Sequence, residues 1–260
     1  MYAVVFHAHQ KLDRLAYDQL KKIIKSDSFF PDIEDIIGFE GKKGPDSTKL
    51  KKGGGLNQPW HFVDPHKRRD KDLIKEIGYH FDQLTLSLKK KDEIRSAFEA
   101  AWLAHALVDG LTPAHHYPYK KELQNIHGLK EERNFDILDR AYVKTGKLSK
   151  SIAQSLKLIG PKGLITTHAL FEAGAYFMTA PNKFKVDLPT EKELKIVKKK
   201  GISKMFKNYL KDVAKLDIYD RYSSTGWTKD LKRDFKDEVL PRMIRIVTLS
   251  WYSAFQKAGL

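Results

Sequence analysis

Apolar residues recur along this chain with a helical period almost from end to end, and that period limits the folds open to it. Between His9 and Ile24 they fall at Leu12, Leu15, Ala16, Leu20, Ile23 and Ile24, the i, i+3, i+4 spacing that gives a helix one apolar face. Ser26-Asp27-Ser28 ends that run. Residues 29–59 read as a loop, with Pro31, Pro45 and Gly53-Gly54-Gly55. A second helix follows Pro65 and runs through Ile74, Ile77, Phe81 and Leu84 to about Leu88. A third starts near Asp92, carries Phe98, Ala101, Trp102, His105, Ala106 and Val108, and is closed by Gly110 and Pro113. Further helices are expected at roughly 129–143, 148–158, 162–179, 190–216 and 228–257. No stretch alternates with period two between turn pairs, and there is no internal repeat. The expectation is one all-α, multi-helix domain over residues 1–260.

Composition narrows what such a domain can do. With 14 Phe, 11 Tyr and 4 Trp in 260 residues, wholesale disorder is excluded. There is no cysteine, so disulfides, thiolate zinc sites and cysteine nucleophiles are excluded too. Any metal must be held by His, Asp and Glu. The opening MYAVVFHAHQ has neither the basic start nor the cleavage site of a signal peptide, and no run approaches the roughly 20 apolar residues that span a bilayer. A cytoplasmic location is expected unless a signal was removed before this numbering begins.

Lys+Arg exceed Asp+Glu by 48 to 33, for a formal charge of +15. Nine lysines lie between Lys192 and Lys215, on an amphipathic basic helix or helix pair. That face suits contact with nucleic acid or an anionic membrane surface, and equally a solvated helix face.

The ten histidines carry the chemistry. His105 and Asp109, four apart, share one helix face, with Cβ atoms about 5–6 Å apart. Their neighbours Ala104, Ala106, Leu107 and Val108 are apolar, so the pair is expected to be buried, which is costly unless it is paired or ligates a cation. Pro113 then leads to His115 and His116, completing H-x3-D-x3-P-x-H. His9 opens the first helix, and Asp32 sits in Phe-Phe-Pro-Asp-Ile. His61 sits in Pro-Trp-His-Phe-Val-Asp, and His168 with Glu172 repeats the i, i+4 pairing. Taken singly, each is more often structural. Taken together they form a set of imidazoles and carboxylates that an all-α domain buries most readily around metal ions. His127 with Glu131 is a second H-x3-E, and His116 an alternative to His115. No Ser-His-Asp arrangement is evident, and Gly53-Gly54-Gly55 lacks the Lys-Ser/Thr of a phosphate loop.

The order His9, Asp32, His61, His105-x3-Asp109-x3-Pro-x-His115, His168-x3-Glu172 resembles the zinc-dependent phospholipase C superfamily, which includes the fungal zinc-dependent single-strand nucleases. The resemblance covers residues 9–172 and is most specific in HALVDGLTPAH, FFPDI and PWHFVD. Residues 180–260 are expected to add helices packed on that part. The resemblance implies two or three zinc ions in a cleft between helices. Asp32, His61, His105 and Asp109 would hold the first, His115, His168 and Glu172 the second, and His9 with a bridging Asp109 the third. Relatives complete the third site with an N-terminal Trp. Here Met1 lies eight positions before His9 and no Trp begins the chain, so either the N-terminus or His7 serves, or the third site is absent. The implied activity is phosphodiester hydrolysis of phospholipid or of single-stranded nucleic acid, with Asp32 or Asp109 orienting a metal-activated water. The residue reading also leaves a third outcome, a non-catalytic basic helical protein that binds nucleic acid or membrane. No obligate protein partner is evident.

Overall fold

The computed structural model describes residues 2–41, 43–48, 61–67, 70–128, 143–179 and 186–260. Among them the chain is helical, without a strand. Helix α1 (Tyr2–Ile23) is followed by α2 (Ile33–Glu40) and the single turn α3 (Pro45–Thr48), both inside the stretch that sequence patterning reads as loop. Local chemistry accounts for α2. Pro31 ends the preceding run, the Asp32 carboxylate accepts the Glu34 N–H at 2.8 Å, and Glu34 and Asp35 face the positive end of the helix dipole.

Helices α4 (Asp72–Lys89) and α5 (Glu93–Leu111) form a hairpin through Lys91, a non-glycine residue at φ 54°. Asp92 caps α5 by accepting the Arg95 N–H at 3.0 Å. A 3-10 turn, Pro113–His116, leads into α6 (Tyr119–His127). Then come α7 (Leu148–Ile159), α8 (Leu164–Thr179), α9 (Glu191–Lys200), α10 (Ile202–Ala214), α11 (Ile218–Thr225) and α12 (Lys229–Asp234). A π-helical turn, Phe235–Val239, runs into α13 (Leu240–Ala258).

The expected helix at 129–143 lies outside the described residues up to 142. The single span expected at 190–216 is parted at Gly201, whose φ of 75° favours glycine, and Thr190 caps its first half with a capping box to Glu193. Nor does Gly110 end α5. The helix runs on to Leu111, and a Cβ at position 110 would come within 2.5 Å of Phe206 and 2.6 Å of Leu73. That glycine lets α5 approach α10 and α4 closely rather than stopping the helix.

Helix α13 lies across α1, α4 and α5 and closes the core. Trp251, on α13, is fully buried and donates its indole N–H to the Ala100 carbonyl at 3.1 Å. Leu20, Leu84, Leu103, Val247 and Phe255 belong to the same apolar cluster. Tyr119, Leu123, Val143 and Leu158 make a smaller one where α6, α7 and α8 meet. No helix among the described residues is long and apolar enough to cross a membrane.

Candidate metal centre

Helix α5 supplies the axis of the centre. His105 and Asp109 sit one turn apart on its inner face, both buried. The Asp109 carboxylate is met by four imidazoles from four segments. His61 Nδ1 lies 2.7 Å from Oδ2, His105 Nε2 3.2 Å, His115 Nδ1 3.4 Å, and His9 Nε2 is 3.2 Å from Oδ1. The 3-10 turn after Thr112 folds His115 back onto the helix that precedes it, and Val63 N–H donates to the His115 carbonyl at 3.2 Å, tying the His61 strand of chain to the same turn.

Donors gather in three groups, each within 4.8 Å: Asp46, His61, His105 and Asp109; His9, Glu40 and His105; His115, His168 and Glu172. In the second group His105 Nδ1 is 2.7 Å and His9 Nδ1 3.5 Å from Glu40 Oε1, and the two rings stack at 4.4 Å. In the third, His115 Nε2 and His168 Nε2 lie 3.2 and 3.1 Å from Glu172 Oε1, their rings stacked at 5.3 Å. A cavity of about 50 Å³ touches His9, Asp109, His115 and Glu172. It has room for water beside the donors, and His168 and Glu172, partly exposed, form the open side of the centre.

The residue set expected from sequence is brought together except for Asp32. Asp32 is exposed at the start of α2, where its carboxylate is engaged with the Glu34 N–H. The apolar residues around it belong to a helix N-terminus rather than to a ligand loop, and Asp46 takes the place expected of it beside His61, at 4.0 Å. His115 and not His116 enters the centre, since His116 Nε2 donates to the Gly110 carbonyl at 2.9 Å. His127 ends α6 away from the three groups, while Glu131 and the His7 side chain lie outside what is described.

Sequence reading missed Glu40, Asp46 and Asp13. Glu40 had a signal, standing three and four residues after Ile37 and Ile36 on the buried face of α2. Asp13 had one as well, because His9-x3-Asp13 repeats the spacing of His105/Asp109 and His168/Glu172.

Charge is distributed accordingly. Burial opposes ionisation of Asp109, but the charges of His115 and His105 and the hydrogen bonds of His105 and His61 hold it well below the usual carboxylate range. Glu172 is held low in the same way by His168 and His115, against its burial. Burial acts to lower the pKa of His105, and Glu40 and Asp109 drive it well above the ordinary value. Asp13 goes the other way: burial and the nearby Glu40 charge push it well up, and neither of its oxygens has a hydrogen-bond partner. His116 falls to about 4 through burial.

These residues fit divalent cations. His61 Nδ1 faces both Asp109 Oδ2, at 2.7 Å, and His105 Nε2, at 3.1 Å, and one proton cannot serve all three atoms. His9 Nδ1, His115 Nδ1, His168 Nδ1 and Glu40 Oε2 are buried without a hydrogen-bond partner, an expensive condition for protein alone. Ligands of a tetrahedral zinc ion bound at roughly 2.0–2.2 Å stand about 3.3 Å apart. The contacts around Asp109 span 2.7 to 3.4 Å. Buried His, Asp and Glu groups of this protein can therefore hold metal ions. Comparison with protein-family models, with curated proteins and with solved structures finds no match for this chain.

Proposed function

We propose that this protein is a zinc-dependent phosphodiesterase of the phospholipase C type. The observation that carries the reading is the Asp109 carboxylate shared by four histidines, His9 and His61 from distant parts of the chain and His105 and His115 from the same helix and the turn after it, with Glu40 holding His9 and His105 on one side and Glu172 holding His115 and His168 on the other. Asp46, His61, His105 and Asp109 would hold one ion, His115, His168 and Glu172 a second, and His9 with Glu40 or Asp109 a third. Zinc suits a donor set of imidazole and carboxylate without thiolate. Bound there, clustered cations supply neutralisation of phosphate charge and a water made acidic near neutral pH.

The chain's own part is positional. Asp109, kept ionised by its histidines, fixes those rings relative to one another. Glu40 accepts from His105 Nδ1 and so directs Nε2 toward Asp109, the orientation a ligating imidazole needs. His168 and Glu172, on the open side, are the donors nearest an entering phosphodiester. Asp109 is also the carboxylate available to orient the attacking water, a role that exposed Asp32 cannot share.

A nuclease built on the same donors is favoured by one further observation. Lys204, Lys207, Lys211 and Lys215 recur at three- and four-residue steps along α10, and the first three make no ion pair among the described residues. Such a stripe can follow a phosphate backbone. The deciding experiment is hydrolysis of a phosphatidylcholine analogue and of single-stranded DNA by the zinc-loaded protein, before and after exhaustive chelation. Activity lost with EDTA and restored by zinc supports the reading, and activity that survives chelation refutes it.

A further inference from the structure

His105 has one nitrogen to give to a cation. Its Nδ1 lies 2.7 Å from Glu40 Oε1, which takes the Nδ1–H, and its Nε2 faces Asp109 Oδ2 at 3.2 Å. Of the three donors gathered around Glu40, His105 therefore belongs to the ion beside Asp109. His9 and Glu40 remain. Two protein donors are one short of the three that hold zinc where a further position stays open.

His9 shows where a separate ion would lie. Its Nε2 is 3.2 Å from Asp109 Oδ1, within reach of a hydrogen bond. With the ring proton there, Nδ1 carries a lone pair. That Nδ1 is buried without a hydrogen-bond partner and stands 3.5 Å from Glu40 Oε1. A lone pair facing a carboxylate is repulsive unless a cation joins them, and two ligands of one tetrahedral zinc stand about 3.3 Å apart.

Asp13 is the missing donor. It follows His9 by one turn of α1, so the two side chains share a helix face. It is 1% exposed, and neither of its oxygens has a hydrogen-bond partner. Glu40 Oε2 is buried and unpartnered as well. Glu40 and His105 both act electrostatically on Asp13, which places the three groups in one buried neighbourhood. Among the described residues no lysine or arginine pairs with either carboxylate. Two buried carboxylates with no cationic partner between them are costly. Asp13 lies outside the set of donors within 4.8 Å of one another, but no bond holds its side chain, so rotation about its own bonds can bring an oxygen to a shared ion.

We infer that Asp13, His9 Nδ1 and Glu40 hold a divalent cation between α1 and α2 without a ligand from Asp109. This deepens the hydrolase reading and rests on its metal centre, in which the third ion falls to either Glu40 or Asp109. Asp109 then serves the first ion and orients His9 through Nε2–H.

The test counts zinc by elemental analysis after equilibrium dialysis of the full chain against buffered free zinc, and follows melting by circular dichroism with and without zinc. Wild type is expected to hold about three equivalents and Asp13→Asn about two, because losing a carboxylate ligand weakens that ion by about 100-fold or more. Without zinc, Asp13→Asn should melt at or above the wild-type temperature, since the amide brings no charge beside Glu40. With zinc it should gain less than wild type gains. Asp13→Ser is read in the same way if the amide variant folds poorly. Wild type with one or two equivalents, or an Asp13→Asn chain that holds as many as wild type, overturns this inference and leaves the hydrolase reading in place. A loss of stability that is equal with and without zinc overturns it too, and makes Asp13 a buried acid of purely structural role. Wild type with under about one equivalent removes the metal centre itself, and this site with it.

Discussion

Replacing Asp109 with Asn tests the centre at the atom on which it converges. The side chain keeps its size and one oxygen but loses its charge, and it brings an NH2 donor to a place where His61, His105 and His115 all approach Oδ2 within 3.4 Å. Two costs follow. First, metal affinity falls. Loss of a supporting carboxylate lowers affinity 10–100-fold in general, and loss of a ligand costs at least the upper figure, so about 100-fold is expected, or about 2.7 kcal/mol at about 1.36 per decade. By linkage, the stabilisation supplied by a fixed excess of zinc drops by about the same amount. Second, the histidines lose the anion that sustains them, and breaking a buried charge cluster by removing one partner typically costs about 3–5 kcal/mol.

Taking only the first cost, and about 2–4 °C per kcal/mol for a chain of this size, the zinc-loaded variant should melt about 5–11 °C below wild type. The measurement is zinc content by elemental analysis together with melting followed by circular dichroism, with and without zinc. A variant that holds as much zinc as wild type, equally tightly, refutes the hub role of Asp109. Wild type that carries under about one equivalent of transition metal refutes the metal reading itself.

Other expectations separate the parts of the centre from its surroundings. Glu172→Gln should remove about one equivalent of metal while leaving the rest, because His115, His168 and Glu172 form a group of their own on the open side; unchanged stoichiometry would refute that division. Asp32→Ala should cost about 1 kcal/mol of stability through the lost cap of α2 and leave zinc content untouched; a loss of metal would restore Asp32 to the centre. Gly110→Ala should destabilise by about 1–3 kcal/mol, since the new methyl meets Phe206 and Leu73; a neutral result in chemical denaturation would mean that α5 and α10 can part at no cost.

Much of this molecule was legible in one dimension. The helical period located α1, α4, α5, α7 and α8, because burying one face of a helix requires apolar residues every third or fourth position whatever the helix packs against. The same geometry made His105/Asp109 and His168/Glu172 visible, since residues one turn apart on a helix are neighbours before any tertiary contact forms. Sequence also set the chemistry available: no thiolate, ten imidazoles, and a surplus of lysine.

Convergence was another matter. Which carboxylate stands beside His61 depends on how the chain from residue 29 to 48 folds across α5, and its two helices, of eight and four residues, are too short for a period to stand out. Asp32 looked buried in sequence because its neighbours are apolar, yet it caps α2 in solvent, while Glu40 and Asp46 further along reach the centre. The exposed stripe of α7, Leu148, Ile152, Leu156 and Ile159, has the period of any amphipathic helix, and periodicity does not say which face a helix shows to the core. Only the buried Ser151 and Ser155 and their bonds to Thr145 and Val143 settle that orientation. Local spacing is a property of the chain, whereas the side on which a face lies, and the company a carboxylate keeps, are properties of packing.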